Sequence, residues 1–174
     1  MIDYAHSKGL DFGLYTCGGT KTCVGGRPGS KDHWQQDADV FAEWGVGMYT
    51  LLFSFESFAN KMMFFMKLFL SICLFVETDW VKMDWCNSKP QKPKDTYPLM
   101  SKAMNTSGRH MHFNMCEWGD DNPWEWGQSV AQSWRMSGDH TPVWTSTKKQ
   151  IQLSAAIPAE YSGKPYGWND MDSE

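Results

Sequence analysis

Lysine and arginine form no basic block anywhere in this sequence, and the absence removes one class of partner at once. With 16 basic against 20 acidic residues and a net charge of −4 over 174 residues, the chain offers no positive field for nucleic acid. The first residues, M-I-D-Y-A-H-S-K-G-L, lack the apolar core of a signal peptide. They predict the last turns of an amphipathic helix ending at Gly9, so the chain reads as opening in mid-helix, as a fragment does. No pair of cysteines stands at C-x₂-C spacing, which argues against a structural metal site. The five cysteines are an odd number and leave at least one unpaired in any disulfide scheme. No apolar run reaches the roughly 20 residues of a membrane helix. The nearest approach, M-M-F-F-M-K-L-F-L-S-I-C-L-F-V (62–76), falls short and contains Lys67.

Aromatic residues are plentiful, with ten tryptophans and six tyrosines. Exposed indoles pack against flat apolar ligands such as sugar faces, although most tryptophans are core. Outside the greasy run, short apolar strands alternate with helical stretches. Strands are predicted over 11–16, 79–84, 110–118, 133–139 and 166–172. Helices are predicted over 32–44, 97–105, from Pro123 to about Gln132, and over 148–157. The alternation predicts an α/β fold with a parallel sheet, open or closed into a barrel. Asn105-Thr106-Ser107 is an N-glycosylation acceptor, of consequence only in a secreted protein.

Chemically capable residues stand at the C-terminal ends of the predicted strands: Tyr15, Asp84, Glu117, Asp139 and Asp172. In barrels of alternating strands and helices the active site is built at that end. A single carboxylate there is explained equally well as a helix cap or turn opener; four strand ends in succession favour a site. Two carboxylates flanking a bound sugar are what glycoside hydrolysis requires, about 5–5.5 Å apart in a retaining enzyme. A nucleophilic carboxylate must stay ionised, and Lys82 lies two residues before Asp84 on the same strand face, where it can lower the pKa. Arg135, four residues before Asp139, is placed to bind sugar hydroxyls or to orient an acid. Spacing alone does not choose the reaction.

At these residues the chain resembles the melibiase family, glycoside hydrolase family 27, which holds α-galactosidases and α-N-acetylgalactosaminidases. The matching pieces, in the family's order, are Y-A-H-S-K-G-L-D-F-G-L-Y, K-T-C-V-G-G-R-P-G-S, D-A-D-V-F-A-E-W-G-V, V-K-M-D-W-C, Y-P-L-M-S-K-A-M-N-T-S-G-R, C-E-W-G, S-W-R-M-S-G-D and G-W-N-D-M-D. The resemblance implies a partial (β/α)₈ TIM barrel, roughly strands 3 to 7. The first two strands, the last strand and a C-terminal β-domain are expected to be missing. It also implies retaining hydrolysis of terminal α-D-galactosyl residues, without cofactor or metal, on an α-galactoside oligosaccharide or glycoconjugate.

By the same resemblance Asp84 is the nucleophile and Asp139 the acid/base. Tyr15, Lys82, Glu117, Trp118, Arg135 and Asp172 contact the sugar, and Cys23 pairs with Cys86. Neither nucleic acid nor membrane is an expected partner. The full-length protein is expected to be secreted, lysosomal or vacuolar, with homodimerisation open. Two rival readings stand beside this one: an α-N-acetylgalactosaminidase, and a catalytically inactive carbohydrate-binding relative or fragment. The sequence departs from the family at Y-T-C-G-G, where Cys17 replaces an acidic or small residue. It departs again in the approach to Asp172.

A larger departure is the interval 47–78, which separates W-G-V (44–46) from D-W-V-K-M-D-W-C (79–86), stretches that adjoin in the family. A membrane helix, an inserted lid and a translated intron are the three accounts of it. A membrane helix would be too short and would fall between a barrel helix and its next strand. The intron account is the one adopted. Gly47-Met48-Tyr49 can be encoded around a splice-donor pattern and Thr78-Asp79 around an acceptor. Excision restores W-G-V-D-W-V-K-M-D.

Overall fold

The computed structural model describes residues 1–49, 79–163 and 167–172. The expected insertion over 47–78 therefore falls, from residue 50 onward, outside the described residues. Five strands form one parallel sheet in the order β1 (Gly13–Cys17), β3 (Trp80–Asp84), β5 (His112–Cys116), β6 (Ser133–Arg135) and β7 (Trp168–Asp170). Two short strands, β2 (Met48–Tyr49) and β4 (Arg109–His110), pair antiparallel beside it. The helices are α1 (Ile2–His6), α2 (Trp34–Glu43), α3 (Pro93–Thr106), α4 (Pro123–Trp126) and α5 (Trp144–Ala156). Parallel neighbours joined through helices are the β/α arrangement that the alternation predicts.

Side chains alternate across a strand, and the alternation here separates two chemistries. One face carries Val81, Met83, Phe113, Met115 and Trp134, all buried. Against it pack Ala38, Phe41 and Ala42 of α2 and Tyr97, Met100, Ala103 and Met104 of α3, forming one continuous core. The other face carries Tyr15, Lys82, Asp84, Asn114, Cys116, Ser133, Arg135 and Asp170, aligned by the register of the ladder. A sheet with an apolar outer face under helices and a polar inner face holds its reactive groups on rigid backbone.

Two predicted strands are shorter than expected, with local causes. β6 ends at Arg135, not Asp139: Met136 N–H makes a last bond to Asp170 O, and Ser137 then turns its hydroxyl to Gly138 O. β7 ends at Asp170, not Asp172, because the Asp170 carboxylate accepts the Asp172 N–H at 2.8 Å and Asp172 takes a positive φ of 56°. The helix from Pro123 stops at Trp126 and tightens into a 3₁₀ turn over Gly127–Ser129. A Cβ on Gly127 would lie 2.6 Å from the Trp134 ring, so the backbone there packs directly against β6. Elsewhere α3 starts four residues earlier than predicted, with Pro93 in its first turn, and α5 begins at Trp144. The N-terminal helix turns out as read: α1 ends at His6, and Gly9 at φ 68° closes it through Gly9 N–H to His6 O.

The two ends of the 47–78 interval meet at one buried carboxylate. Asp79, 1 % exposed, accepts the Gly47 N–H at 2.9 Å and the Phe12 N–H at 2.6 Å, and both its oxygens contact His6 Nε2. Asp79 thus ties the start of β3 to the end of the α2 segment and to α1. Among the described residues no helix is long and apolar enough to cross a membrane.

Candidate active site

The candidate residues gather at the C-terminal end of the parallel sheet. Asp84 is the last residue of β3, and its backbone neighbours across the ladder are Cys17 and Cys116. Its carboxylate is 8 % exposed. Oδ1 accepts the Trp85 N–H at 2.8 Å and Oδ2 accepts the Tyr15 hydroxyl at 3.1 Å. Two donors, one from β1 and one from the residue that follows β3, hold the carboxylate's rotamer. Partial burial raises the Tyr15 hydroxyl well above its usual value, and the Asp84 charge adds to that. Tyr15 consequently stays a proton donor to Asp84.

Arg135 organises the far side. Its side chain is 1 % exposed, with Nη1 2.7 Å from Asp172 Oδ1 and Nη2 3.2 Å from Asp139 Oδ1. Nη2 also donates to Ser137 O at 3.3 Å. A planar, permanently charged guanidinium can hold two carboxylates in fixed directions, as an ammonium cannot. Asp172 carries the loop further, since its Oδ2 accepts the His140 N–H at 2.8 Å. Asp172 and Arg135 thereby seat the loop that presents Asp139, whose side chain is 76 % exposed.

Lys82, Asp84, Asp139, His140, Pro142 and Asp172 line one cavity of about 400 Å³, large enough for a small polar ligand. The sequence reading missed His140 and Pro142. They lie one and three residues after Asp139, and the continued loop H-T-P was the available signal. Glu117 and Trp118 are not brought to this cavity. Glu117 is fully buried, and its Oε2 accepts the Asp121 N–H at 2.9 Å while Oε1 has no partner. Burial pushes its carboxyl up to about 7, against the lowering effect of that backbone bond. Trp118, at φ 60°, packs half-buried on the core.

Cys23 and Cys86 form the expected disulfide, tying the loop after β1 to the end of β3. Cys17 and Cys116 are free and buried. Cys17 donates its S–H to Cys86 O at 3.0 Å. Burial raises the thiols of both, that of Cys116 to about 12, so neither is a ready nucleophile.

Comparison with known proteins agrees with this geometry. The chain is 36% identical over 182 residues to Alpha-galactosidase A of Cellvibrio japonicus, covering 99% of this chain and 37% of the relative. It is 38% identical over 146 residues to the Alpha-galactosidase of Coffea arabica, covering 84% of this chain and 30% of the relative. The chain thus spans about a third of the length of these relatives. Among solved structures, alpha-galactosidase I from Mortierella vinacea superposes with a TM-score of 0.72 at 26% identity over 98% of this chain and 41% of that one. The sheet is accordingly an arc of a (β/α)₈ barrel, and its site lies at the end where such barrels carry theirs. The family model described as "Alpha galactosidase A" matches residues 1–74 and 73–173. With the model spanning nearly every residue, the chain belongs to the melibiase family.

Proposed function

We propose that the protein carrying this chain is a retaining glycoside hydrolase of terminal α-D-galactosyl residues, with Asp84 as nucleophile and Asp139 as acid/base. The observation that carries the reading is one cavity lined both by Asp84 and by the Arg135-held pair Asp139 and Asp172. Asp84 is oriented by Tyr15 and Trp85 N–H, as a group that must attack along one line requires. Asp139 is exposed, within reach of a leaving group and of the incoming water; having given up its proton as acid in the first half-reaction it is the carboxylate base of the second. Asp139 delivers a proton to the leaving oxygen as Asp84 bonds to the anomeric carbon. It then takes a proton from the water that releases the sugar from Asp84. Lys82 and Asp172, which line the same cavity, are assigned to bonding sugar hydroxyls. The relatives named as alpha-galactosidases support galactosides as the substrate class, with α-N-acetylgalactosaminides as the alternative.

The reading extends to compartment and to the interval. The Cys23–Cys86 disulfide fits a secreted, lysosomal or vacuolar protein. Residues 47–78 are taken as no part of the working domain, supported by the family pattern W-G-V-D-W-V-K-M-D, which breaks off at Val46 and resumes at Asp79. A mature transcript lacking codons 47–78 is the expected finding, and a dominant transcript retaining them opposes it.

The test of the two roles uses aryl α-galactosides of graded leaving-group acidity on the full-length protein. Asp84→Asn should abolish turnover of all of them. Asp139→Asn should depress poorly activated substrates most, because good leaving groups need little protonation. Equal loss across the series would contradict the assignment. kcat/KM for aryl α-N-acetylgalactosaminide above that for aryl α-galactoside would move the protein to the alternative.

A further inference from the structure

The disulfide of the site hides a donor set. The Sγ atoms of Cys23 and Cys86 and a carboxylate oxygen of Asp84 all lie within 4.8 Å of one another. In a tetrahedral site with metal–sulfur bonds of about 2.3 Å and metal–oxygen bonds of about 2.0–2.2 Å, the donor atoms stand roughly 3.5–4 Å apart. The carboxylate oxygen is therefore within reach of an ion shared with the sulfurs, while the two sulfurs, bonded to each other, must part to a ligating separation. While the two sulfurs are bonded to each other they present no thiolates, and the set is closed.

We propose that reduction of Cys23–Cys86 opens a metal site in which both thiolates and the Asp84 carboxylate bind one zinc-like ion. A phosphine can supply the reduction: the disulfide takes up two electrons and two protons, water provides the oxygen, and the phosphine leaves as its oxide. On binding, the two thiol protons pass to solvent. Two thiolates select zinc, cadmium or cobalt over calcium or magnesium. The fourth position remains for water, as in open zinc sites.

The surroundings allow the set to form. Asp84 sits at the rigid end of β3 with its rotamer held by Tyr15 and Trp85 N–H. Each of its oxygens accepts one described hydrogen bond, which leaves lone pairs for an ion. Cys23 is exposed, on the loop between β1 and α2, so its sulfur can withdraw from Cys86 to a ligating separation. Cys17 and Cys116 flank Asp84 on the neighbouring strands, but the Cys17 S–H is turned to Cys86 O, and neither sulfur belongs to the set. Once bound to an ion, the Asp84 carboxylate is no longer available at the cavity. That consequence rests on the role proposed for Asp84 above, whereas the binding itself does not.

Cobalt(II) titration of the full chain tests the binding, before and after phosphine treatment, read by thiolate-to-cobalt charge-transfer absorption. The reduced protein should take up one equivalent with this absorption, and the oxidised protein none. Asp84→Asn should weaken binding by at least about 10- to 100-fold while keeping the absorption. Cys17→Ser should change neither. An unfolded reduced chain would bind through any of its cysteines and be indifferent to Asp84. Equal affinity in the Asp84→Asn variant, loss of the absorption in Cys17→Ser, or no stoichiometric absorption on reduction would each overturn the proposal. In the full-length protein, reversible inhibition by zinc after reduction should accompany binding. Binding without inhibition would leave the metal site standing and count against Asp84 as nucleophile.

Discussion

Replacing Arg135 by lysine should separate the two carboxylates that Arg135 now holds. A lysine keeps the charge but is a single point donor, so Asp139 and Asp172 would no longer share one planar partner. A misplacement of about 1 Å costs roughly 100-fold in rate; kcat of the full-length Arg135→Lys protein should fall by about that factor. Unchanged kinetics in a folded variant would show that the pairing is incidental. Glu117 supports a different prediction. Its carboxyl titrates at about 7 in the fold against an ordinary value of 4.5, so the folded state binds the proton more tightly. Its contribution is greatest below pH 4.5 and is lost as pH rises to about 7, by on the order of 3 kcal/mol. Glu117→Gln should remove that loss, making the variant more stable than wild type at pH 8 in urea unfolding but not at pH 4. A pH-independent difference would contradict the burial account.

The elements on either side of the greasy interval carry the next prediction. Asp79 bonds Gly47, Phe12 and His6, so the flanking chain is already gathered at one point. Joining Val46 directly to Asp79 should leave a chain that unfolds cooperatively and still forms Cys23–Cys86. Roughly halving the disulfide's loop changes its closure entropy by about 0.6 kcal/mol, too little to threaten the bridge. A shortened chain that collapses without cooperative unfolding would contradict this. At this scale the sequence was a good guide to which elements exist, because the alternation of Val81 and Met83 with Lys82 and Asp84, or the spacing of Ala38, Phe41 and Ala42, is written in residue type. It was a poorer guide to where they end. β6 stops on a serine turn and β7 on an Asx turn, and α4 stops against the Trp134 ring. The two turns are local side-chain bonds that compete with the strand and that hydrophobic periodicity does not register, and the third is a tertiary contact.

The whole molecule repeats that contrast. Asp84, Asp139, Arg135, Lys82, Tyr15 and Asp172 were legible because strand-end placement and motif agreed. Glu117 and Trp118, named by the same resemblance, do not line that cavity: Glu117 is buried with its Oε2 on the Asp121 N–H, and Trp118 packs half-buried against the core. His140 and Pro142 escaped notice because a loop residue's direction is set by its anchors, here Asp172. The central claim is that Asp84 attacks the sugar and carries it as a covalent ester. Treating the full-length protein with a slowly turned-over 5-fluoro-α-D-galactosyl fluoride and measuring the masses of its proteolytic peptides tests this most directly. The peptide containing Asp84 should gain one fluorogalactosyl unit, and the Asp84→Asn protein should gain none. A label on Asp139 or Asp172, or continued turnover with no labelled peptide, would contradict the account.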